Sequence, residues 1–369
     1  MSRILPRRQA FIPRGKILMR YLRTELVEEL LALNQQQSEL YTQPGQVDLR
    51  NNYRVRHPTR IACFKCMDGR VNLSALTGTP IGVIRPYRNI GGVFDLGWPA
   101  LEERLNDYVD YTIDAGAQNL FLATYHYSKS SKQLGCRGHN YDVSISVDSA
   151  RTLVEQMNRV FGKGHEQVYP LVVGVETDGE ELIFHGRDGI EERMGDHLKE
   201  EPRHLNSLIR ELYPDMPQAV VKDLLPLMSG NAEHIKKIRR EPKKVEQLDH
   251  TERILAVGEG FDWLHRVNYA LIINDLDPTL DDTIAKAAGI VKENRDKKRI
   301  PSDQALYFVS VWYFQQGRRR ANAVERAHYL TALGLESIRK FHHDLDGFFQ
   351  PLTAVMDWET RKLELLETR

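Results

Sequence analysis

The sequence predicts an α/β protein built on mostly parallel sheets with helices on their flanks, and two observations predict it. Apolar runs of strand length recur, as in "RIACFKC", "PIGVIRPYRN" and "NLFLATYH". Longer amphipathic stretches such as "WPALEERLNDYVDYTIDAG" alternate with them. Strands that alternate with helices need crossovers, and crossovers leave neighbouring strands parallel.

Each element follows in order. From about Ile17 to Tyr41 leucines recur at helical spacing, giving one amphipathic helix or two, ended by Pro44 and Gly45 in "TQPGQ". Strand and helix then alternate from Thr59: the three apolar runs are strands, and the helix before the third ends at Gly116. "YDVSISVDSARTLVEQMNRVFGKG" supplies another helix, and "VYPLVVGVETDGEELIFHG" reads as two strands joined at Asp178–Gly179. Breakers at Pro202, Pro214, Pro217, Pro226 and Pro242 suggest a boundary between Glu200 and Glu246. Beyond it, "YALIINDLDPTLDDTIAKAAGIVKEN" is a strand, a turn and a helix, and "QALYFVSVWYFQQG" is strand-like. The expected organisation is a helical N-terminal segment over 1–55, a first domain over 56–215 and a second over 216–369. "LIINDLD" can be laid on "CFKCMD" with Asp277 under Asp68, a faint sign of an internal repeat.

Composition narrows the function classes. The 369 residues hold 51 Lys and Arg against 51 Asp and Glu, so no global field recruits nucleic acid or an anionic membrane. No apolar run is long enough to span a bilayer. Three cysteines at sparse spacing make a poor disulfide framework and suit a reducing compartment, so the cytoplasm is expected. Runs such as "KKIRREPKK", "RDKKR" and "GRRRA" read as solvated faces. Met1 to Arg23 carries seven basic residues and no acid, which makes a mobile tail or an arm for an acidic protein partner.

The chemistry centres on "CFKCMDGR". In open α/β sheets functional groups gather beyond the carboxyl ends of parallel strands. Cys66 ends one predicted strand and His126 another, and Cys136 follows between Gly135 and Gly138. Two thiols and an imidazole suit a zinc ion by softness, and three protein ligands leave the fourth position open for catalysis. Asp68 could close that position, but Arg70 can hold its carboxylate in a bidentate pair. Alternatives stand beside each residue. Cys63 lies three before Cys66, on the opposite strand face, and reads as structural. His139 could replace Cys136 as a ligand or serve as a proton shuttle. The His342–His343 pair reads as surface or helix-end.

At these residues the chain resembles a known family. "CMDGR" resembles the C-x-D-x-R signature of β-class carbonic anhydrases, and "RNIGG" resembles their R-N-x-G segment. The resemblance implies Zn²⁺ on Cys66, His126 and Cys136, an Asp68–Arg70 catalytic dyad, and a substrate pocket shaped by Arg88, Asn89, Gly91 and Gly92. It implies reversible hydration of carbon dioxide to bicarbonate by a homo-oligomer, with a degenerate C-terminal carbonic-anhydrase-like domain walling half of the pocket. His126 and Cys136 are ten residues apart where typical members have three, which is similar to the divergent carboxysome-shell subclass. Residence in a carboxysome is therefore an alternative to a free cytoplasmic enzyme. A related hydrolase of carbon disulfide or carbonyl sulfide would use the same ligands, and a zinc-stabilised scaffold would use them without catalysis.

Overall fold

The computed structural model describes residues 14–162, 167–240, 250–264, 267–315 and 319–367, with side chains from residue 27 onward. The basic arm from Met1 to Arg23 lies outside the residues whose side chains are described.

Two helices open the chain, α1 (Arg14–Thr42) and α2 (Pro44–Arg56). Pro44 ends the first and starts the second, because a proline at the first helical position lacks only an N–H that would be unpaired there anyway. The helix α1 lays Val27, Leu30 and Leu33 on the C-terminal half of the molecule. Its Asn34 side chain donates to the carbonyl of Arg361 and accepts from the N–H of Leu363.

The first sheet has the order β2-β1-β3-β4-β5-β6, with β1 (Arg60–Cys66), β2 (Ile84–Asn89), β3 (Asn119–Tyr127), β4 (Val168–Glu176), β5 (Glu181–His185) and β6 (Glu191–Arg193). Its first four strands are parallel and the last two pairings antiparallel. The short α3 (Leu73–Thr77), α4 (Pro99–Asp114) and α5 (Val143–Phe161) belong to the same half. The helices α6 (Pro202–Leu212) and α7 (Gln218–Arg240) occupy the proline-rich region that sequence reading treats as a boundary. Pro202 sits in the first turn of α6, and α7 carries Pro226 in its interior. Their apolar faces, with Leu205, Ile209, Val221 and Leu224, pack in the same core as Ile61, Leu122 and Val173 of the first sheet. Pro202 starts α6 and Pro217 precedes α7, Pro214 lies in the turn between them and Pro226 inside α7, while Pro242 lies outside the described residues.

The second sheet has the order β11-β10-β9-β7-β8, from β7 (Ile254–Gly258), β8 (Ala270–Ile273), β9 (Leu306–Phe314), β10 (Phe349–Asp357) and β11 (Leu363–Leu365). Between these strands run α8 (Leu280–Asp296) and α9 (Arg320–Phe341). Again four strands are parallel and a terminal hairpin is antiparallel. The order repeats that of β2-β1-β3-β4-β5, so the chain holds two copies of one strand topology. In the first, Ile61 pairs with Ile84 and Leu120; in the second, Ile254 pairs with Ala270 and Tyr307.

This register corrects the repeat suggested by the sequence. The counterpart of β1 is β7, not the strand "LIIN", which is β8 and matches β2. Stepping along the paired registers puts Glu259 at the position of Cys66, Asp275 at that of Asn89 and Tyr313 at that of His126. Both β1 and β8 are short apolar runs followed by an acid, and only sheet order separates them.

The halves meet where β2 and β8 approach. The N–H of Asn274 donates to the carbonyl of Arg88 at 2.9 Å, and the N–H of Arg88 donates to the Asn274 side chain at 2.6 Å. Each crossover helix also reaches over the other half: α4 faces the ends of β8 and β9, and α8 faces the end of β1.

Candidate metal centre

Cys66 is the last residue of β1, and His126 lies one residue before the end of β3. The two strands are adjacent and parallel, so both side chains emerge at one sheet edge. Cys136 follows in the loop after β3. The three ligand atoms lie within 4.8 Å of one another, and all three residues are buried. The sulfurs of Cys66 and Cys136 are 4.0 Å apart.

Two observations show that the trio fits a metal ion. Neither ring nitrogen of His126 has a hydrogen-bond partner, although the residue is buried. An unpaired buried imidazole nitrogen is costly, and ligation would satisfy it. The two thiols, meanwhile, shift each other in opposite directions. Cys136 donates toward Cys66 and, with help from His126, pushes the Cys66 thiol well below its usual range. Cys136 is pushed up by the same contact and by burial. A lowered Cys66 thiol favours the thiolate, the form in which sulfur binds metals. A buried Cys–His–Cys group of this kind can hold a metal ion.

Tight backbone contact sets the position of Cys136. A Cβ on Gly138 would lie 2.5 Å from the Cα of Gly91, so the Cys136 loop is pressed against the turn after β2. His139, the alternative third ligand, stands outside the trio. Its Nε2 lies 2.9 Å from the carbonyl of Gly91, which occupies it as a loop clamp. Cys63 packs in the apolar core on the other face of β1, and burial pushes its thiol up to about 11. His342 is likewise structural, its Nε2 lying 2.8 Å from the carbonyl of Ala285.

Asp68 and Arg70 form a buried fork. Nη2 of Arg70 donates to Oδ2 of Asp68 at 2.6 Å, Nε to Oδ1 at 3.1 Å, and the Arg70 N–H to Oδ1 at 2.8 Å. Burial alone would raise the carboxyl, but Arg70 and the nearby His126 hold it well below the usual carboxylate range. Asp68 lies outside the group of three that can bind a metal.

Sequence reasoning missed the next layer. Nη2 of Arg70 also donates to Nε2 of His250 at 3.1 Å, and Nδ1 of His250 donates to Oε1 of the buried Glu252 at 3.0 Å. Glu252 fixes the proton on Nδ1 and leaves Nε2 as an acceptor for the guanidinium. Nothing in "DHTERI" signals this role, because the segment follows a charged run that reads as solvated surface.

A cavity of about 190 Å³ opens onto Cys66 and His126. Cys66, Asp68, His126 and His250 line it together with Met67 and Ile90. The C-terminal half supplies Leu271, Ile290, Asn294 and Lys297, so both halves wall it. Arg88, Asn89, Gly91 and Gly92 do not line it. Arg88 is buried against Asp262, and Asn89 donates to the carbonyl of Val93 and to Asp277. That segment shapes the site through Ile90 and through the turn that seats the Cys136 loop. No protein-family model matches the chain, and no curated protein matches it.

Proposed function

We propose that the chain is a zinc-dependent carbonic anhydrase that interconverts carbon dioxide and bicarbonate. One observation carries the reading: Cys66 and His126 of the buried Cys66–His126–Cys136 group line a small cavity together with a carboxylate that a guanidinium holds in a fork. The donor set suits zinc, and three protein ligands match a catalytic rather than a closed structural site. Zinc bound there supplies Lewis acidity and makes water a nucleophile at neutral pH.

The residues of the chain do the rest. Met67, Ile90, Leu271 and Ile290 make an apolar recess in which a small neutral substrate replaces water. Asp68 is ionised and accepts a hydrogen bond from the attacking O–H, which aims an oxygen lone pair at the carbon. Arg70 keeps that carboxylate in place and occupies both of its oxygens. His250 and Glu252 in turn fix Arg70. Addition of water to carbon dioxide gives bicarbonate and one proton, which must leave the site before the next turnover.

The test is stopped-flow hydration of carbon dioxide with metal analysis on the same samples. The wild type should hold zinc and accelerate hydration, and Cys66→Ser should lose both. A zinc-loaded wild type with no rate above buffer would overturn the reading.

A further inference from the structure

A small cavity of about 50 Å³ lies where the two N-terminal helices meet the C-terminal half. Tyr41 of α1 and Arg50 of α2 line it from one side, and Trp263 and Arg361 from the other. Its charges do not balance among the described residues. Arg50 is only 7% exposed, yet no carboxylate there pairs with it. Its Nη2 donates to the carbonyl of Tyr41 at 2.8 Å, while Nε and Nη1 have no partner among those residues. The guanidinium of Arg361 makes no hydrogen bond or ion pair with them, and its Nη1 is buried. Both cations lie against one ring, that of Tyr41, at 3.8 Å and 5.4 Å from its centre. The one acid in the lining, Asp262, is already paired with the buried Arg88.

A guanidinium keeps its proton in a protein, so burying it without a counter-ion is costly. The aromatic face of Tyr41 offsets part of that cost by attracting cations. It leaves the N–H groups in the guanidinium plane without acceptors. A third donor is in the same position: Trp263 is 6% exposed, and its Nε1 has no hydrogen-bond partner. Two guanidiniums and an indole N–H around one small space match an oxyanion. The volume admits a few heavy atoms and falls well below that of sites for larger metabolites. Leu40 and Ile81 also line the cavity and stay 39% and 46% exposed, so its outer part is apolar and open to solvent.

We propose that this cavity binds a small carboxylate, its oxygens held by Arg50, Arg361 and the Trp263 N–H and its short apolar end toward Leu40 and Ile81. The ligand ties the N-terminal helices to the C-terminal half. The proposal does not depend on the reaction assigned to the metal pocket.

The experiment is saturation-transfer NMR of the full chain with acetate, and with acetamide as the neutral isostere, before and after zinc removal. Acetate should saturate with Kd below about 10 mM whether or not zinc is present, and acetamide should bind roughly 10-fold more weakly or worse. Arg50→Gln should weaken acetate about 10-fold, and Trp263→Phe, which keeps an aromatic ring but removes the N–H, about 5-fold. Arg361→Gln serves in place of any variant that fails to fold, with unchanged thermal unfolding and zinc content as the criterion. The proposal is overturned if acetate does not saturate, if acetamide binds as tightly, or if folded variants bind like wild type. Loss of acetate binding on zinc removal would also overturn it, because the anion would then sit on the metal.

Discussion

Asp68 is a carboxylate under opposed forces, with burial favouring its neutral form and Arg70 favouring the ion; the guanidinium wins. Asp68→Asn keeps the shape and removes the acceptor for an O–H donor. Its hydration rate should fall about 100-fold or more in stopped flow with zinc content unchanged. Glu252→Gln acts one step further out, freeing His250 to turn, so a loss of roughly 10-fold with full zinc occupancy is expected. Asp275 behaves in the opposite way. Burial first, and Glu259 second, push its carboxyl up to about 6 from 3.8. The folded state therefore holds this proton more tightly than the unfolded one. Its contribution to stability is fully present below pH 4 and is lost as pH rises through 6. At neutral pH the cost reaches up to roughly 3 kcal/mol. Asp275→Asn should flatten the rise of unfolding free energy that this group causes on acidification from pH 7 to pH 4, as urea melts across that window would show.

At the scale of elements, the loop after β3 decides whether the trio assembles. Gly138→Ala forces a Cβ into the backbone of Gly91, so either the Cys136 loop or the turn after β2 must move. Destabilisation of about 1–3 kcal/mol and faster zinc loss to a chelator are expected, measured by thermal melts and a chromogenic zinc assay. This loop also marks the limit of what the sequence reveals. The strands ending in Cys66 and His126 are visible as apolar runs, and their parallel order follows from the helices between them. Asp68 and Arg70 are legible because they lie two residues apart on the chain. By contrast, His250 is 180 residues from Arg70, and no local pattern encodes the meeting. The prolines of α6 and α7 are ambiguous for another reason: the same residue that breaks a helix in its interior begins one at its first turn. Asp277 aligns with Asp68 in the sequence because two strands share an apolar-then-acid pattern that only sheet order separates.

Across the whole molecule, two copies of one topology have diverged in chemistry. The first keeps ligands for an ion; the second has Glu259 and Tyr313 around Arg104. Neither site is complete within its own half, since α8 walls one and α4 walls the other. Among the described residues, no helix is long and apolar enough to cross a membrane. The division of labour predicts a single metal per chain, because Glu259 and Tyr313 are already satisfied by a guanidinium.

Titration of metal-stripped protein with zinc, followed by the rate of carbon dioxide hydration at each step, tests the central claim most directly. The rate should climb in proportion to zinc and level off at one equivalent per chain. A rate that stays at the buffer value while the first equivalent binds, or that keeps rising through a second, would contradict the account.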